Sequence, residues 1–580
     1  MNQNPAEIAA EKALSELFGA IDRNQNFRLE AGAGAGKTYS LIKALKYVIE
    51  NKSRDFQKKN QQIACITYTN VAKDEINSRT DNNEIVLAET IHGFCWGVLK
   101  GLQKQMREYI PQISNRWNKR IEEVGGLSNQ TVIYDLGYPK ATEKEINLHH
   151  DDVIKIFTHF LSKDKFVHLI KSKYPVLFID EYQDTNKDLA EALIKYIIVP
   201  KQNMLIGLFG DHWQKIYGNN VIGEIKDYDD LILEIGKNAN FRSDRLLVNA
   251  LSRMRPELPQ NEVDPGSMGE LDVYLTNSWK GVRRTENHWQ GDLPEDIAHQ
   301  SLTNIKEELK HWDFSPEKTK ILMLTNNVLA NEQGYVRIAK LFARDTDDYL
   351  KKNNHYIKFL IDTVEEVAKY FEDRKYGEMF KVIGTRTPKL RNQHEKRAWD
   401  SDLKRLLEVR KNGTIGDIID LLKETGHPRL SSKVEQQEAK YMDLKELSKE
   451  ELGDNEKFFD RIEKIRSIEY TEIIELSKYL DDKTPFSTKH GVKGAEFENV
   501  LVVCGRGWNH YNWDNFLSWY NNGIPKDKES AFERNRNLFY VCCSRPKKRL
   551  AVLFTQQLSG DSISTLNNWF LEENIKELKI

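Results

Sequence analysis

Short apolar runs alternate with helical periodicity in the early part of the chain. Phe27 to Glu30, Ile63 to Tyr68 and Glu84 to Ala88 read as strands, the second as a buried one. Between them Tyr39 to Ile49 and Asn70 to Arg79 carry helical spacing, with Asn70 the expected N-cap. Residues 97–172 read mostly as helix and polar loop, an insertion between strands. The strand pattern resumes at Val176 to Ile179 and at Met204 to Phe209, with a helix from Lys187 to Ile198 between them. A second such region begins near Arg245 and has one clear strand, Ile321 to Leu324. It gives way over 335–480 to charged helical periodicity, for example Asp402 to Val409 and Tyr470 to Leu480. Strand character returns at Val500 to Val503, followed by a helix from Glu533 to Cys543 and a strand from Leu550 to Phe554. The pattern predicts two α/β domains built on parallel sheets, each interrupted by a mainly helical insertion.

A chain of 580 residues exceeds the size of a single core, which agrees with that division. Net charge is −2, so no global basic field points to nucleic acid, and any such surface must be a local groove. The five cysteines form no C-x-x-C pair, and most lie in apolar runs, reading as small core residues rather than disulfides or metal ligands. No apolar run approaches the ~20 residues of a membrane span, and Glu7 and Glu11 interrupt the N-terminal segment, which reads as an amphipathic helix rather than a signal peptide. A cytoplasmic, multidomain protein without a membrane partner is expected.

Candidate chemistry enters with Glu30-Ala31-Gly32-Ala33-Gly34-Ala35-Gly36-Lys37-Thr38. A strand feeds a loop of glycine and alanine that delivers Lys37 and Thr38 to the start of a helix. Small residues let successive N–H groups close around an anion. Lys37 would place its charge at the β- and γ-phosphates of a nucleotide, and the Thr38 hydroxyl would ligate Mg²⁺. A flexible turn before an ordinary helix is the plainer alternative. After the strand at Val176 to Ile179 comes Asp180-Glu181-Tyr182-Gln183-Asp184-Thr185. There Asp180 would hold Mg²⁺ and Glu181 would polarise the water that attacks the γ-phosphate. An acidic turn at a helix N-terminus is the competing explanation.

Taken together, these two stretches resemble the superfamily 1A helicases of the UvrD, Rep and PcrA type. Further motifs follow in the family's order: Thr67-Tyr68-Thr69-Asn70, Thr90-Ile91-His92-Gly93-Phe94, Gly210-Asp211-His212-Trp213-Gln214-Lys215-Ile216-Tyr217-Gly218, Asn240-Phe241-Arg242-Ser243, Thr488 to Phe497, and Glu533 to Val541 ending at Ser544-Arg545. The resemblance implies two RecA-like P-loop domains: 1A over 1–96 and 173–243, interrupted by the 1B insertion over 97–172, and 2A over 244–334 and 483–580, interrupted by a 2B-like insertion over 335–482. It implies ATP held by Gly32, Ala33, Gly34, Ala35, Gly36, Lys37 and Thr38. Gln214 would contact the γ-phosphate and the attacking water, Arg242 and Arg545 would act as arginine fingers, Phe241 would stack on adenine, and Glu496 would lie near the ribose. Tyr68, Thr69, Asn70, His92, Tyr217 and His490 occupy positions that contact single-stranded DNA. Core aromatics and hydrogen-bonded core histidines are the plainer readings of Trp213, Phe241, Phe497, His92 and His490.

Three departures qualify the match. Asn219 stands where relatives carry a base-stacking aromatic, which puts strong unwinding by the isolated chain in doubt and makes Trp213 a candidate substitute. No adenine-reading glutamine is evident before residue 27 beyond Gln25, and no nuclease signature follows the last motif. The expected function is an ATP-dependent helicase or translocase moving 3′ to 5′ on single-stranded or tailed duplex DNA, in repair or anti-phage defence. The alternative is a DNA-stimulated ATPase that senses ends or gaps and activates a nuclease. Compact chains of this kind resemble helicase subunits of anti-phage systems such as the Gabija type, which works with an OLD-family nuclease.

Overall fold

The computed structural model describes residues 4–135, 139–216, 218, 220–228, 230–286, 289–323, 326–343, 345–384, 390, 392–487, 494–505 and 511–580. Two sheets organise the chain. The first contains β1 (Phe27–Ala31), β2 (Ile63–Thr67), β3 (Val86–Thr90), β4 (Val176–Asp180), β5 (Leu205–Gly210) and β6 (Leu233–Lys237). These are six parallel strands in the order β3-β2-β4-β5-β1-β6.

Successive side chains point to opposite faces, and the inner strands β2, β4 and β5 pack against cores on both, which explains their largely unbroken apolar runs. Ile63, Cys65, Val176, Phe178, Leu205 and Phe209 enter a core shared with the helix Lys37–Lys58. Ala64, Ile66, Leu177, Ile179, Ile206 and Leu208 face the opposite core, formed largely with residues 91–170. The inner strands β2, β4 and β5 are buried along their whole length, whereas the edge strand β6 alternates buried and exposed positions.

The second sheet contains β7 (Glu270–Leu275), β8 (Thr319–Met323), β9 (Phe486–Ser487), β10 (Phe497–Cys504), β11 (Pro546–Phe554) and β12 (Ile575–Glu577). It is again six parallel strands, in the order β9-β8-β10-β11-β7-β12. Between β8 and β9 the described residues are helical and have their own core around Tyr356, Leu360, Trp399, Ile418 and Leu476. The two sheet units meet through an inserted aromatic. Trp213, beyond β5, is buried in the second sheet's core together with Ala33 of the first unit.

Several expectations are corrected. Thr69, not Asn70, caps the helix Asn70–Arg79, its hydroxyl accepting from the Ala72 N–H at 3.2 Å. The 97–172 region holds a small three-stranded sheet (Thr131–Ile133, Lys140–Ala141, Glu145–Asn147) besides its helices. Strands β6, β7 and β12 have no counterpart in the hydropathy pattern, and the end of the chain adds β12 after the helix Gly560–Phe570. All five cysteines are buried and none is in a disulfide. Among the described residues, no helix is long and apolar enough to cross a membrane.

Candidate active site

Strand β1 ends at Ala31 and the next helix starts at Lys37, so the turn between them closes within the Gly/Ala stretch. Gly34 and Gly36 hold φ of 76° and 73°, a left-handed conformation that costs glycine little. The turn is fastened by the Ala35 N–H donating to the Gly32 carbonyl at 3.0 Å. Close approach from later in the chain also demands the missing side chains. A Cβ on Gly34 would lie 2.8 Å from both Arg242 Cβ and Asn240 Oδ1, and one on Gly32 would lie 2.6 Å from Gln260 Nε2.

Lys37 forms an ion pair with Glu181. Burial works to depress the lysine, but Glu181, Asp180 and Asp211 outweigh it and hold it above its ordinary value. Asp180 ends β4 and is raised to about 6 by burial, against the opposing pull of Lys37. Glu181 takes φ of 50°, a left-handed conformation unusual away from glycine and one that concentrates at functional sites. It carries the chain from the strand into the short turn Tyr182–Asp184. The Asp180 carboxylate is buried beside Lys37, and Thr38 lies on the first turn of the helix that starts at Lys37; both offer the hard oxygen donors that Mg²⁺ takes.

From the other side, Arg545 is 1% exposed and donates to Gln214 Oε1 at 3.2 Å. Gln214 donates in turn to Asp211 Oδ2 at 2.8 Å. Burial, with Arg242 nearby, brings Arg545 down to about 10. Arg242 instead meets Glu496 Oε2 at 3.2 Å and the Ser544 carbonyl at 2.8 Å. Phe241 is half-exposed, and its N–H donates to the Gly34 carbonyl at 2.8 Å. The exposed ring of Tyr39 and that of Phe241 each lie 5.8 Å from Lys237 Nζ. These contacts bring Gly32–Thr38, Asp180, Glu181, Gln214, Phe241, Arg242, Glu496 and Arg545 together where the two sheet units meet.

An AAA domain model matches residues 18–220. The Gabija protein GajB of Bacillus cereus is 25% identical, over 95% of this chain and 96% of its own length. The ATP-dependent DNA helicase PcrA of Staphylococcus epidermidis is 22% identical over 94% of this chain and 84% of its own, and that of Staphylococcus aureus 21% identical over 94% and 83%. These similarities support a UvrD/PcrA-like helicase family for the chain. Nucleotide use is what that family implies.

On the rim expected to meet DNA, Tyr68, Thr69 and Asn70 are exposed where β2 passes into its helix, beside Val71 at 77% exposure. His92 is half-buried against His150, with ring centroids 4.9 Å apart, and burial together with that neighbour lowers its pKa. The expectations for Tyr217, Asn219 and His490 fall outside the described residues. Trp213 is corrected: at 6% exposure, with the Arg536 guanidinium 4.3 Å and that of Arg255 5.2 Å from its ring, it is a core aromatic and offers no platform for a base. Gln25 accepts from Arg23 at 3.3 Å.

Sequence reasoning missed several residues of the cleft. Lys237 ends the edge strand β6 and donates to the Gly36 carbonyl at 3.0 Å and to Ser40 Oγ at 2.8 Å; burial lowers it to about 8. Gln260 and Asn240 both donate to the Ala33 carbonyl, at 3.1 and 3.2 Å. Lone Lys and Gln residues carry no local signal. Asn240 and Tyr540 lay inside quoted motifs whose arginines drew the attention.

Proposed function

We propose that the chain is an ATP-dependent motor that moves on single-stranded DNA, 3′ to 5′ by analogy with its family, with ATP and Mg²⁺ in the cleft between two RecA-like domains bounded as the motif order suggests. The observation that carries this reading is the contact of Arg545 with Gln214, 3.2 Å across the two sheet units. Phosphoryl transfer needs charge stabilisation and positioning more than covalent chemistry, so cations supplied across a cleft tie hydrolysis to closure. Lys37 would bind the β- and γ-phosphates, Glu181 would take the proton of the attacking water, and Gln214 would orient that water. Arg545 and Arg242 would bind the γ-phosphate, Arg242 on leaving Glu496. Phe241 would stack on the base and Glu496 would hold the ribose. Thr38 and Asp180 would hold Mg²⁺, which when bound offsets phosphate charge. Tyr68, Thr69, Asn70, His92, Tyr217 and His490 would line the DNA path.

Lys37→Ala tests the site: DNA-stimulated ATP hydrolysis should be abolished, and turnover at the wild-type rate would refute the assignment. The burial of Trp213 favours a second reading, in which a DNA-stimulated ATPase senses ends or gaps and activates a nuclease of the OLD family. Similarity to the Gabija protein along nearly the whole chain supports an anti-phage role for either version. Strand displacement on a tailed duplex, with and without a nuclease encoded beside this gene, separates them. Efficient displacement by the isolated chain supports the motor.

A further inference from the structure

Beside the cleft lies a buried charge cluster that the proposed chemistry does not use. Arg255, at the C-terminal end of the helix Arg245–Met254, is 2% exposed. That helix packs in the second sheet's core through Leu247, Leu251 and Met254. The Arg255 guanidinium reaches into the first unit, with Nη1 2.6 Å from Asp211 Oδ1 and Nη2 3.6 Å from Glu30 Oε2. Glu30 has partners of its own in Tyr182, in His212 at 3.2 Å and in Arg28 at 3.2 Å. Asp211 is fully buried, and its other carboxylate oxygen accepts from Gln214 Nε2 at 2.8 Å. Glu30, Asp211 and His212 bring their ligand atoms within 4.8 Å of one another, the spacing of a cation site, but the guanidinium already supplies the positive charge there.

These contacts run in one line: Arg255 of the second unit, Asp211 and Gln214 of the first, and Arg545 of the second again. A carboxylate clamped by a guanidinium cannot turn away from the amide it holds, because breaking a buried pair strands a charge. We propose that Arg255 is a positioning residue for ATP hydrolysis, holding Asp211 so that Gln214 is presented to the γ-phosphate and to Arg545 only when the two units are closed. The proposal rests on the reading of the cleft as an ATPase site. It adds a closure sensor that never touches nucleotide.

Arg255→Lys keeps the charge but loses the planar fork that spans two carboxylates. The expected result on DNA-stimulated hydrolysis is a fall in kcat of at least tenfold, with ATP KM and the affinity for a fluorescent ATP analogue within twofold of wild type. Arg255→Gln, which keeps side-chain donors without the charge, is the second arm and should show the same split. Adding Asp211→Asn to either variant should cost less than a further twofold, because the effects of residues in one network are not additive. Wild-type kcat in the Arg255 variants, or losses that multiply with Asp211→Asn, would each overturn the proposal. A wild-type chain that hydrolyses no ATP would instead overturn the underlying ATPase reading.

Discussion

The backbone N–H of Ala33 donates to the hydroxyl of Tyr540 at 3.3 Å, joining residues 507 positions apart. One belongs to the Gly/Ala loop after β1 and the other to the helix Glu529–Cys543, so the loop is contacted directly by the second sheet's unit. Tyr540→Phe keeps the ring but leaves a buried donor without an acceptor, which costs about 1–3 kcal/mol. A lower urea midpoint with unchanged m-value is expected. A midpoint equal to wild type would show that the contact carries no net stability.

Gly34→Ala meets two obstacles at once, a φ of 76° and an Arg242 Cβ 2.8 Å from the new methyl. Destabilisation of roughly 1–3 kcal/mol follows from the strained backbone. Because the loop must also shift, nucleotide affinity should drop in the same variant. Calorimetric titration with ATP measures that directly, and wild-type affinity would contradict it.

Phe241 is 44% exposed, so removing its ring opens no cavity in the core. Stability of Phe241→Ala should stay within about 0.5 kcal/mol of wild type. Loss of stacking on the base should raise ATP KM on the order of tenfold. Unchanged KM would remove Phe241 from the nucleotide site.

Glu181→Gln keeps the shape of the side chain and removes its capacity to accept a proton. Turnover should fall by roughly 10²–10⁴ while ATP still binds. Loss of the ion pair to Lys37 frees the lysine for phosphate, so affinity for ATP should not weaken. Weaker binding would reassign Glu181 from hydrolysis to nucleotide retention.

Lys237 supplies a pH signature. Its folded value of about 8 lies below the ordinary 10.5, because burial penalises the charge. A depressed group contributes stability above its unfolded value and loses it as pH falls through the folded one. Melting temperatures of wild type and Lys237→Met, compared from pH 7 to pH 10, should therefore shift in favour of wild type as pH rises. A constant difference would mean that Lys237 stays charged throughout.

Legibility in the sequence followed the range of the interaction. The Gly/Ala turn before Lys37 and the acidic turn at Asp180 were readable because each is set by a few consecutive residues. Strands buried on both faces, such as β2 and β4, announce themselves as unbroken apolar runs. Strand β6 at the sheet edge alternates buried and exposed positions, and β7 begins with Glu270 and carries Asp272, so neither stands out by hydropathy. Backbone pairing with β1 and β11 makes them strands. The cap of the helix after β2 moved by one residue because Thr69, in extended conformation, and not Asn70 points its oxygen at the first turn.

By itself the sequence determined the α/β class and the order of the motifs, since these depend on local spacing and on the chemistry of single side chains. Tertiary structure alone decided that Trp213 lies in the core against two arginines, that Arg242 meets Glu496, and that Arg255 closes on Asp211. Those facts depend on which surfaces of the two sheets face each other. Buried charges and aromatics take their roles from partners hundreds of positions away, and no local pattern encodes that pairing.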